Sequence, residues 1–326
     1  MSTLSLVTGA NGHLGNTLVR TLLARGQQVR AGVRDPERST ALAGLDCQVV
    51  CAELQDPQSL RKALQGVGVL YHVAAVFKHW AKDPQTEIVE VNVQGSRNVL
   101  RAAAEAGVRR VVYVSSVAAV GHNGQFLDET SWNADQQNPY YRSKILSERA
   151  AWETARAYDL PLVSVLPSAI IGPHTTRLTD TMGFLAAVLA RKLVLDPNFH
   201  FNFVDVRDVA DGLIRAAENG RPGQRYLLAN RQASSLAQVI EALNALSPGY
   251  PLPRRAPKPL LLLIAWLKEQ QARYTGRPAD LLLSQVQMFY GVRQVYCIDK
   301  AVNELGYQPR SPHDALTQAF AHLLAR

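Results

Sequence analysis

The first half of the chain alternates short apolar runs with stretches whose apolar residues recur at helical spacing. Successive Val and Leu residues within the runs are typical of parallel strands that are buried on both faces. Six such runs cover residues 4–8, 28–33, 47–52, 68–73, 110–114 and 162–166, and helices are predicted over 16–25, 87–106 and 140–158. The alternation predicts an α/β fold, a doubly wound parallel sheet of the Rossmann type.

The pattern becomes less regular after Pro167. Helices are predicted over 179–191, 209–218 and 236–246, a strand over 201–206, and an irregular proline-rich stretch over 248–259. We expect a first domain over residues 1–170, to which 203–229 returns, and a smaller, mainly helical substrate-binding lobe over 171–326. The apolar run 260–267 is read as lobe core, with a membrane-contacting or substrate-contacting helix as the alternative.

Composition narrows the class of protein. The 326 residues are 47% hydrophobic and 19% charged, which excludes a disordered chain. The net charge of +8 attracts anions, but no nucleic-acid-binding motif accompanies it, so no nucleic-acid partner is expected. Three cysteines argue against a disulfide framework, and no histidine or cysteine cluster predicts a metal site. Without a visible targeting segment or a run of ~20 apolar residues, we expect a cytoplasmic protein with no stable membrane association.

The strongest local signal is the segment TGANGHLG, which follows the first strand and opens a helix. Glycines at spacing GxxGxxG permit a tight turn, a close backbone approach to a pyrophosphate, and close packing of the helix on the sheet. The free N–H groups of the helix start favour phosphate. The sequence therefore predicts a dinucleotide-binding turn formed by Thr8, Gly9, Asn11, Gly12, His13, Leu14 and Gly15.

The end of the second strand selects the cofactor. An acidic residue there binds the ribose of NAD, whereas an arginine accepts the 2′-phosphate of NADP. Arg34 follows the strand and is predicted to bind that phosphate, with Arg38 as a helper. Asp35 is the competing ribose contact, so NADP is favoured and NAD stays the alternative.

A second signal, YYRSK, places Tyr140 and Lys144 on one helix face. A neighbouring ammonium is expected to lower the pKa of the tyrosine, which then exchanges a proton with a substrate oxygen. Tyr141 is the rival tyrosine. Ser115 and Ser116 end an apolar strand at the carboxyl edge of the sheet, where a hydroxyl can hydrogen-bond the same oxygen.

These motifs, together with YHVAA, NVQGSRNVL, SKILSE, LPSAIIGP and FVDVRDVA, resemble the extended short-chain dehydrogenase/reductase family, also called NAD-dependent epimerase/dehydratase-like. The chain is most similar to its dihydroflavonol reductase-like branch. The resemblance covers nearly the whole chain and implies a catalytic trio of Ser116, Tyr140 and Lys144, the last two also contacting the cofactor. It further implies cofactor contacts from Glu53, Leu54, Ala74, Ala75, Asn92, Pro167 and Ser168.

The resemblance also implies where substrate is met and how the protein assembles. Residues after the fourth strand often contact substrate in the family, which here implies Phe77, His79 and Trp80, with Lys78 as an anion contact. Family members often dimerise through the two long helices, so a homodimer is expected. Two departures stand out. Glu53 replaces a commoner aspartate, and Gly121 replaces an Asn or Asp that reads the flavonoid ring in the plant reductases, so a flavonoid substrate is not implied.

The sequence thus favours an NADP(H)-dependent oxidoreductase that reduces a ketone or aldehyde to an alcohol, or runs the reverse reaction. Tyr140 is the expected proton donor and Ser116 the residue that holds the carbonyl oxygen. The first alternative is an NAD-dependent nucleotide-sugar epimerase or dehydratase, against which Arg34 argues. The second is a non-catalytic NADP-binding protein, against which the intact trio argues.

Overall fold

A computed structural model describes residues 3–77, 81–122, 126–175, 177–276, 279 and 281–326. Seven parallel strands form its main sheet, in the order β10-β7-β5-β4-β1-β2-β3. These strands are β1 (Ser5–Thr8), β2 (Val29–Val33), β3 (Gln48–Cys51), β4 (Val69–His72), β5 (Arg110–Val114), β7 (Leu162–Pro167) and β10 (Arg225–Leu228). The strand order reverses beside β1, so the prediction of a doubly wound parallel sheet is confirmed.

Helices cover both faces of this sheet. The α-helices of the chain are α1 (His13–Ala24), α2 (Pro57–Leu64), α3 (Val91–Glu105), α4 (Pro139–Ala157), α5 (Asp180–Leu189), α6 (Val206–Asn219), α7 (Leu236–Asn244), α8 (Lys258–Thr275), α9 (Leu283–Phe289) and α10 (Pro312–Leu324). A π-helical segment (Gln85–Glu90) precedes α3. One apolar core lies between the sheet and α1 with α6, and a second lies between the sheet and α2, α3 and α4.

The remaining strands and helices extend beyond the main sheet. Two short parallel pairs join β8 (Ala169–Ile171) to β9 (Phe203–Asp205) and β6 (Phe126–Leu127) to β11 (Val295–Tyr296). Helices α5, α7 and α10 share a third core, and α8 and α9 share a fourth. No helix in the described part of the chain has the length and hydropathy needed to cross a membrane. The described residues also contain no group of three His, Cys, Asp or Glu side chains able to hold a metal ion.

The predicted run 260–267 lies within α8, but its reading as lobe core is only half right. Leu261 and Ala265 are buried in the fourth core, whereas Leu260, Leu263, Trp266 and Leu267 are exposed. An apolar run on a helix presents residues all around its axis, so a single packed side buries only part of it.

Candidate active site

The glycine-rich segment forms a tight turn between β1 and α1. The Gly12 amide donates to the Gly9 carbonyl over 2.9 Å, and Gly9 has a φ of +67°. A Cβ on Gly15 would lie 2.2 Å from the Gly9 oxygen, so no larger residue fits where α1 approaches the turn. Asn11 and Gly12 are exposed, while Leu14 packs in the core. Gly12 carries no side-chain cap, which leaves the first N–H groups of α1 free for an anion.

Thr8 anchors this turn to the end of β4. Its hydroxyl oxygen accepts from the amides of Val73 and Ala74, both over 3.2 Å, and lies 2.9 Å from His72 Nδ1. The hydroxyl therefore donates its own hydrogen to the ring of His72. Burial lowers the pKa of His72 to about 3, so the ring is neutral and can accept. Thr8 thus fixes Ala74 against Gly9. The contact is so close that a Cβ added to Gly9 would lie 2.9 Å from the Ala74 Cα.

Two buried polar atoms, one at the start of α1 and one at the end of β7, have no hydrogen-bond partner among the described residues. His13 Nε2 donates to the Pro173 carbonyl over 2.8 Å, which leaves Nδ1 unpartnered. Ser168 follows Pro167 at the end of β7, and its hydroxyl is also unpartnered although the residue is only 6% exposed. Buried polar groups are ordinarily hydrogen-bonded. These atoms therefore fit a polar ligand that lies along the carboxyl edge of the sheet.

Arg34 and Arg38 extend from the end of β2, with side chains 85% and 88% exposed. Arg34 Nε lies 3.9 Å from Glu53 Oε2. Asp35 is engaged locally, because its carboxylate accepts from the Glu37 amide and lies 3.3 Å from Arg38 Nε. Both guanidinium groups are exposed and could meet an anion, although each lies beside a carboxylate, and the Asp35 carboxylate caps its own turn.

Glu53 and Leu54 hold the neighbouring loop against the adjacent helices. The Glu53 amide donates to the Ser59 hydroxyl, and the Leu54 carbonyl accepts from Asn98 on α3 over 2.8 Å. Both residues are half-buried beside the exposed arginines. Glu53 thus lies beside Arg34 at the end of β2.

Asn92 organises the segment that follows β4. Its amide oxygen accepts from the Val76 amide over 2.7 Å, and its nitrogen donates to the Val76 carbonyl and to Ser143 on α4. The adjacent Ala75 is exposed, and the Phe77 ring packs edge-on against Tyr140 at 4.7 Å. The predicted contacts Lys78, His79 and Trp80 lie outside the described residues.

The start of α4 presents the predicted tyrosine. Asn138 caps the helix by accepting from the amides of Tyr140 and Tyr141, and Pro139 occupies the first helical position. The Ser116 side chain is hydrogen-bonded to Tyr140. Tyr141 instead packs beside His122 and Phe289. The structure therefore brings Tyr140, rather than its rival, to the serine.

The pKa of Tyr140 lies above its ordinary value in this structure, whereas the sequence predicts that Lys144 lowers it. Burial raises the pKa of Tyr140 to about 12, and the hydrogen bond with Ser116 offsets only part of that rise. Burial also lowers the pKa of Lys144 to about 8, against the attraction of Glu148. Desolvation is the largest cause of the pKa change in each group. The resting tyrosine is thus a neutral phenol with a proton to donate.

A buried ion pair that the sequence analysis missed holds α4 in place. The Glu148 carboxylate is fully buried and accepts from Arg225 over 2.9 Å, from Ser115 over 2.6 Å and from Ser164 over 2.8 Å. Arg225 also lies over the Trp132 ring. This network joins β5, β7 and β10 to α4, and it leaves Ser116 as the serine that faces Tyr140. The SKILSE segment contains Glu148 four residues after Lys144, but only the fold shows its partner.

A small cavity of about 340 Å³ lies beyond Tyr141. His122 lines it, and its Nε2 is 3.4 Å from the Asp135 carboxylate. Aromatic rings continue from Tyr140 through Tyr141 to Phe289 at centroid distances of 5.7 and 6.2 Å. The candidate site is thus bounded by aromatic side chains on the side of the C-terminal helices.

Comparisons with known proteins place this geometry in context. The sequence model of the family described as "NAD dependent epimerase/dehydratase family" matches residues 5–229. The chain is 36% identical over 322 residues to a Synechocystis protein named "Putative dihydroflavonol 4-reductase", covering 96% of this chain and 92% of that protein. It is 40% identical to "Sterol demethylase protein B" of Methylococcus capsulatus, covering 82% of each.

A plant relative and a solved structure are also similar. Cinnamoyl-CoA reductase CAD2 of Medicago truncatula is 34% identical, covering 76% of this chain and 82% of that protein. The chain in the structure titled "Crystal structure of gox2253" is 32% identical in sequence to this chain. The two superimpose with a TM-score of 0.85, covering 99% of this chain and 98% of that chain.

Proposed function

This chain belongs to the NAD dependent epimerase/dehydratase family and is a reductase or dehydrogenase of the extended short-chain type. From that premise we propose that it is an NADP(H)-dependent reductase of a ketone or aldehyde. The observation that carries the proposal is the hydrogen bond between Ser116 and the buried Tyr140 at the carboxyl edge of the sheet, where burial raises the pKa of the phenol. The reverse reaction, oxidation of the matching alcohol, uses the same groups.

The residues of the trio have separate roles in the proposal. The Tyr140 phenol donates its proton to the substrate oxygen, and the Ser116 hydroxyl hydrogen-bonds the same oxygen. Lys144, four residues along the same helix, acts as a cation whose charge favours the phenolate left after proton transfer. The bound nicotinamide cofactor supplies the hydride in the reductive direction.

The cofactor is proposed to lie along the carboxyl edge between the glycine turn and the end of β7. The uncapped start of α1 suits its pyrophosphate, and the unpartnered atoms of His13 and Ser168 are available to polar groups of the cofactor. The exposed Arg34 and Arg38 support NADP over NAD, because Asp35 is occupied as a local cap. NAD remains the alternative.

Substitution of the two tyrosines tests the assignment. We expect Tyr140→Phe to lower kcat by about 100-fold or more while NADPH still binds, because only the transferable proton is lost. Tyr141→Phe should keep most of the turnover, since Ser116 contacts its neighbour. Turnover is measured with NADPH over a panel of ketones and aldehydes, and cofactor binding by titration. Activity that survives Tyr140→Phe and disappears with Tyr141→Phe would reverse the assignment.

The family description also supports a second candidate, an NAD-dependent nucleotide-sugar epimerase or dehydratase that keeps its cofactor through the cycle. The two functions differ in what the purified protein carries. Denaturing fresh protein and identifying the released nucleotide separates them. Little nucleotide and tighter binding of NADPH than of NADH support the reductase, whereas stoichiometric NAD supports the epimerase.

A further inference from the structure

Helix α8 is apolar on two opposite sides, and only one of them packs on the described part of the protein. Its inward residues Leu261, Ala265 and Ala272 are at most 4% exposed. Its outward residues are between 41% and 94% exposed, and we call them the α8 outer face: Leu260, Leu263, Trp266, Leu267 and Tyr274.

Helical geometry puts these residues together. Leu263, Leu267 and Tyr274 follow each other at spacings of four and seven residues, so they share one side, opposite Leu261 and Ala265. A helix that is apolar all round is ordinarily buried on all sides. Here one apolar side meets water, and a contiguous exposed apolar surface marks a site of interaction.

The charges around the helix indicate what covers this face. Between residues 250 and 276 the only carboxylate is Glu269, which accepts from the Leu283 amide. The same segment contains five cationic residues, Arg254, Arg255, Lys258, Lys268 and Arg273. The whole chain carries a net charge of +8. Exposed Leu and Trp side chains beside Lys and Arg are features that α8 shares with helices that lie in a membrane interface, although its opposite side is apolar and packs on the protein.

We propose that the α8 outer face docks on the surface of an anionic lipid bilayer. Leucines would enter the boundary between headgroups and acyl chains, Trp266 and Tyr274 would sit at headgroup level, and the exposed Arg254 and Arg273 would meet lipid phosphates. The helix lies on the membrane without crossing it, consistent with its hydropathy. A second copy of the chain fits less well, because pairing two such faces would bring two cationic segments together.

The inner side of α8 connects this face to the candidate site. Phe199 packs on the core that contains Leu261 and Ala265, and its ring lies 5.9 Å from Phe289. Phe289 in turn contacts Tyr141, the neighbour of Tyr140. Docking through α8 would therefore bring the aromatic side of the candidate site towards the bilayer. The docking itself does not depend on which reaction the site performs.

Vesicle flotation with the full chain tests the proposal. One set of vesicles is pure phosphatidylcholine, and the other contains about one third phosphatidylglycerol. We expect the protein to float with the anionic vesicles about tenfold more than with the neutral ones, and raised salt to weaken binding. The apolar contribution is tested with the double variant Leu263→Gln, Leu267→Gln, which should lose binding about tenfold.

A matched control separates the face from general hydrophobicity. Leu178 and Leu324 are 51% and 48% exposed, close to the 54% and 52% of Leu263 and Leu267. The double variant Leu178→Gln, Leu324→Gln should float like the wild type. The charge variant Arg254→Gln, Arg273→Gln tests the basic contribution even if the leucine variant fails to fold, and it should weaken binding to anionic vesicles alone.

Three outcomes would overturn the proposal. The wild type could fail to float with either vesicle, or both the leucine and the charge variants could float as well as the wild type. Alternatively, sedimentation could show a dimer that Leu263→Gln, Leu267→Gln dissociates, in which case a second copy covers the face. A wild type that floats with anionic vesicles but reduces no ketone or aldehyde would count against the proposed reaction and leave the docking intact.

Discussion

At the scale of single residues, the cost of burying Lys144 can be measured through pH. Its pKa falls from 10.5 to about 8, so the unfolded chain holds a proton that the folded protein lacks between those values. Stability therefore rises as the pH increases from about 8 to 10.5, and the full penalty is present below pH 8. We expect Lys144→Met to be more stable than the wild type at pH 7 by on the order of 3 kcal/mol, while turnover is lost.

The measurement is urea unfolding at several pH values. The advantage of Lys144→Met should vanish above pH 10.5, where both states of the wild type are neutral at this position. Lys62→Met on the exposed side of α2 is the control and should show no such pH dependence. Equal stabilities of wild type and Lys144→Met at pH 7 would mean that the ammonium is well solvated or paired in the fold.

At the scale of elements, the buried Glu148 of α4 forms an ion pair with Arg225 of β10 and accepts hydrogen bonds from Ser115 after β5 and Ser164 of β7. Removing one partner of a buried ion pair leaves the other charge uncompensated, which costs about 3–5 kcal/mol. We therefore expect Glu148→Gln to lower the free energy of unfolding by about that amount. Glu153 on the same helix forms an exposed pair with Arg97 of α3, so Glu153→Gln is the control, and it should cost less than about 1 kcal/mol. A loss below 1 kcal/mol for Glu148→Gln would show that water reaches the pair.

The sequence could predict the elements whose signal is local. The first five strands and α4 were predicted to within one or two residues, because apolar runs, glycines and capping residues mark their limits. The start of α1 was placed three residues late, since the glycine turn enters the helix directly at His13. Helix α2 was missed, although Asp56 and Pro57 form its cap and first residue. The Glu148–Arg225 pair could not be read from sequence, because its partners are 77 residues apart.

The apolar run 260–267 shows a second limit of prediction from sequence, which concerns burial. Sequence indicates how hydrophobic a helix is, but it does not show how many of its sides meet the rest of the protein. Likewise, the spacing of Tyr140 and Lys144 indicates a shared helix face, but the desolvation that shifts the pKa of each group depends on the burial that the fold creates.

At the scale of the whole molecule, the proposed cofactor joins the ends of β1, β2 and β7, so its binding should stabilise the fold as one unit. A ligand at about 100 times its Kd adds about 2.7 kcal/mol. For a chain of 326 residues this raises Tm by about 4 °C. NADPH should produce this Tm shift in the wild type. In Arg34→Gln the Tm shift with NADPH should be about half as large at the same concentration, whereas the smaller Tm shift with NADH should stay unchanged, because only NADPH carries the 2′-phosphate. Arg101→Gln, an exposed arginine on α3, is the control. A larger Tm shift with NADH than with NADPH in the wild type would instead make NAD the resident cofactor and remove the role proposed for Arg34.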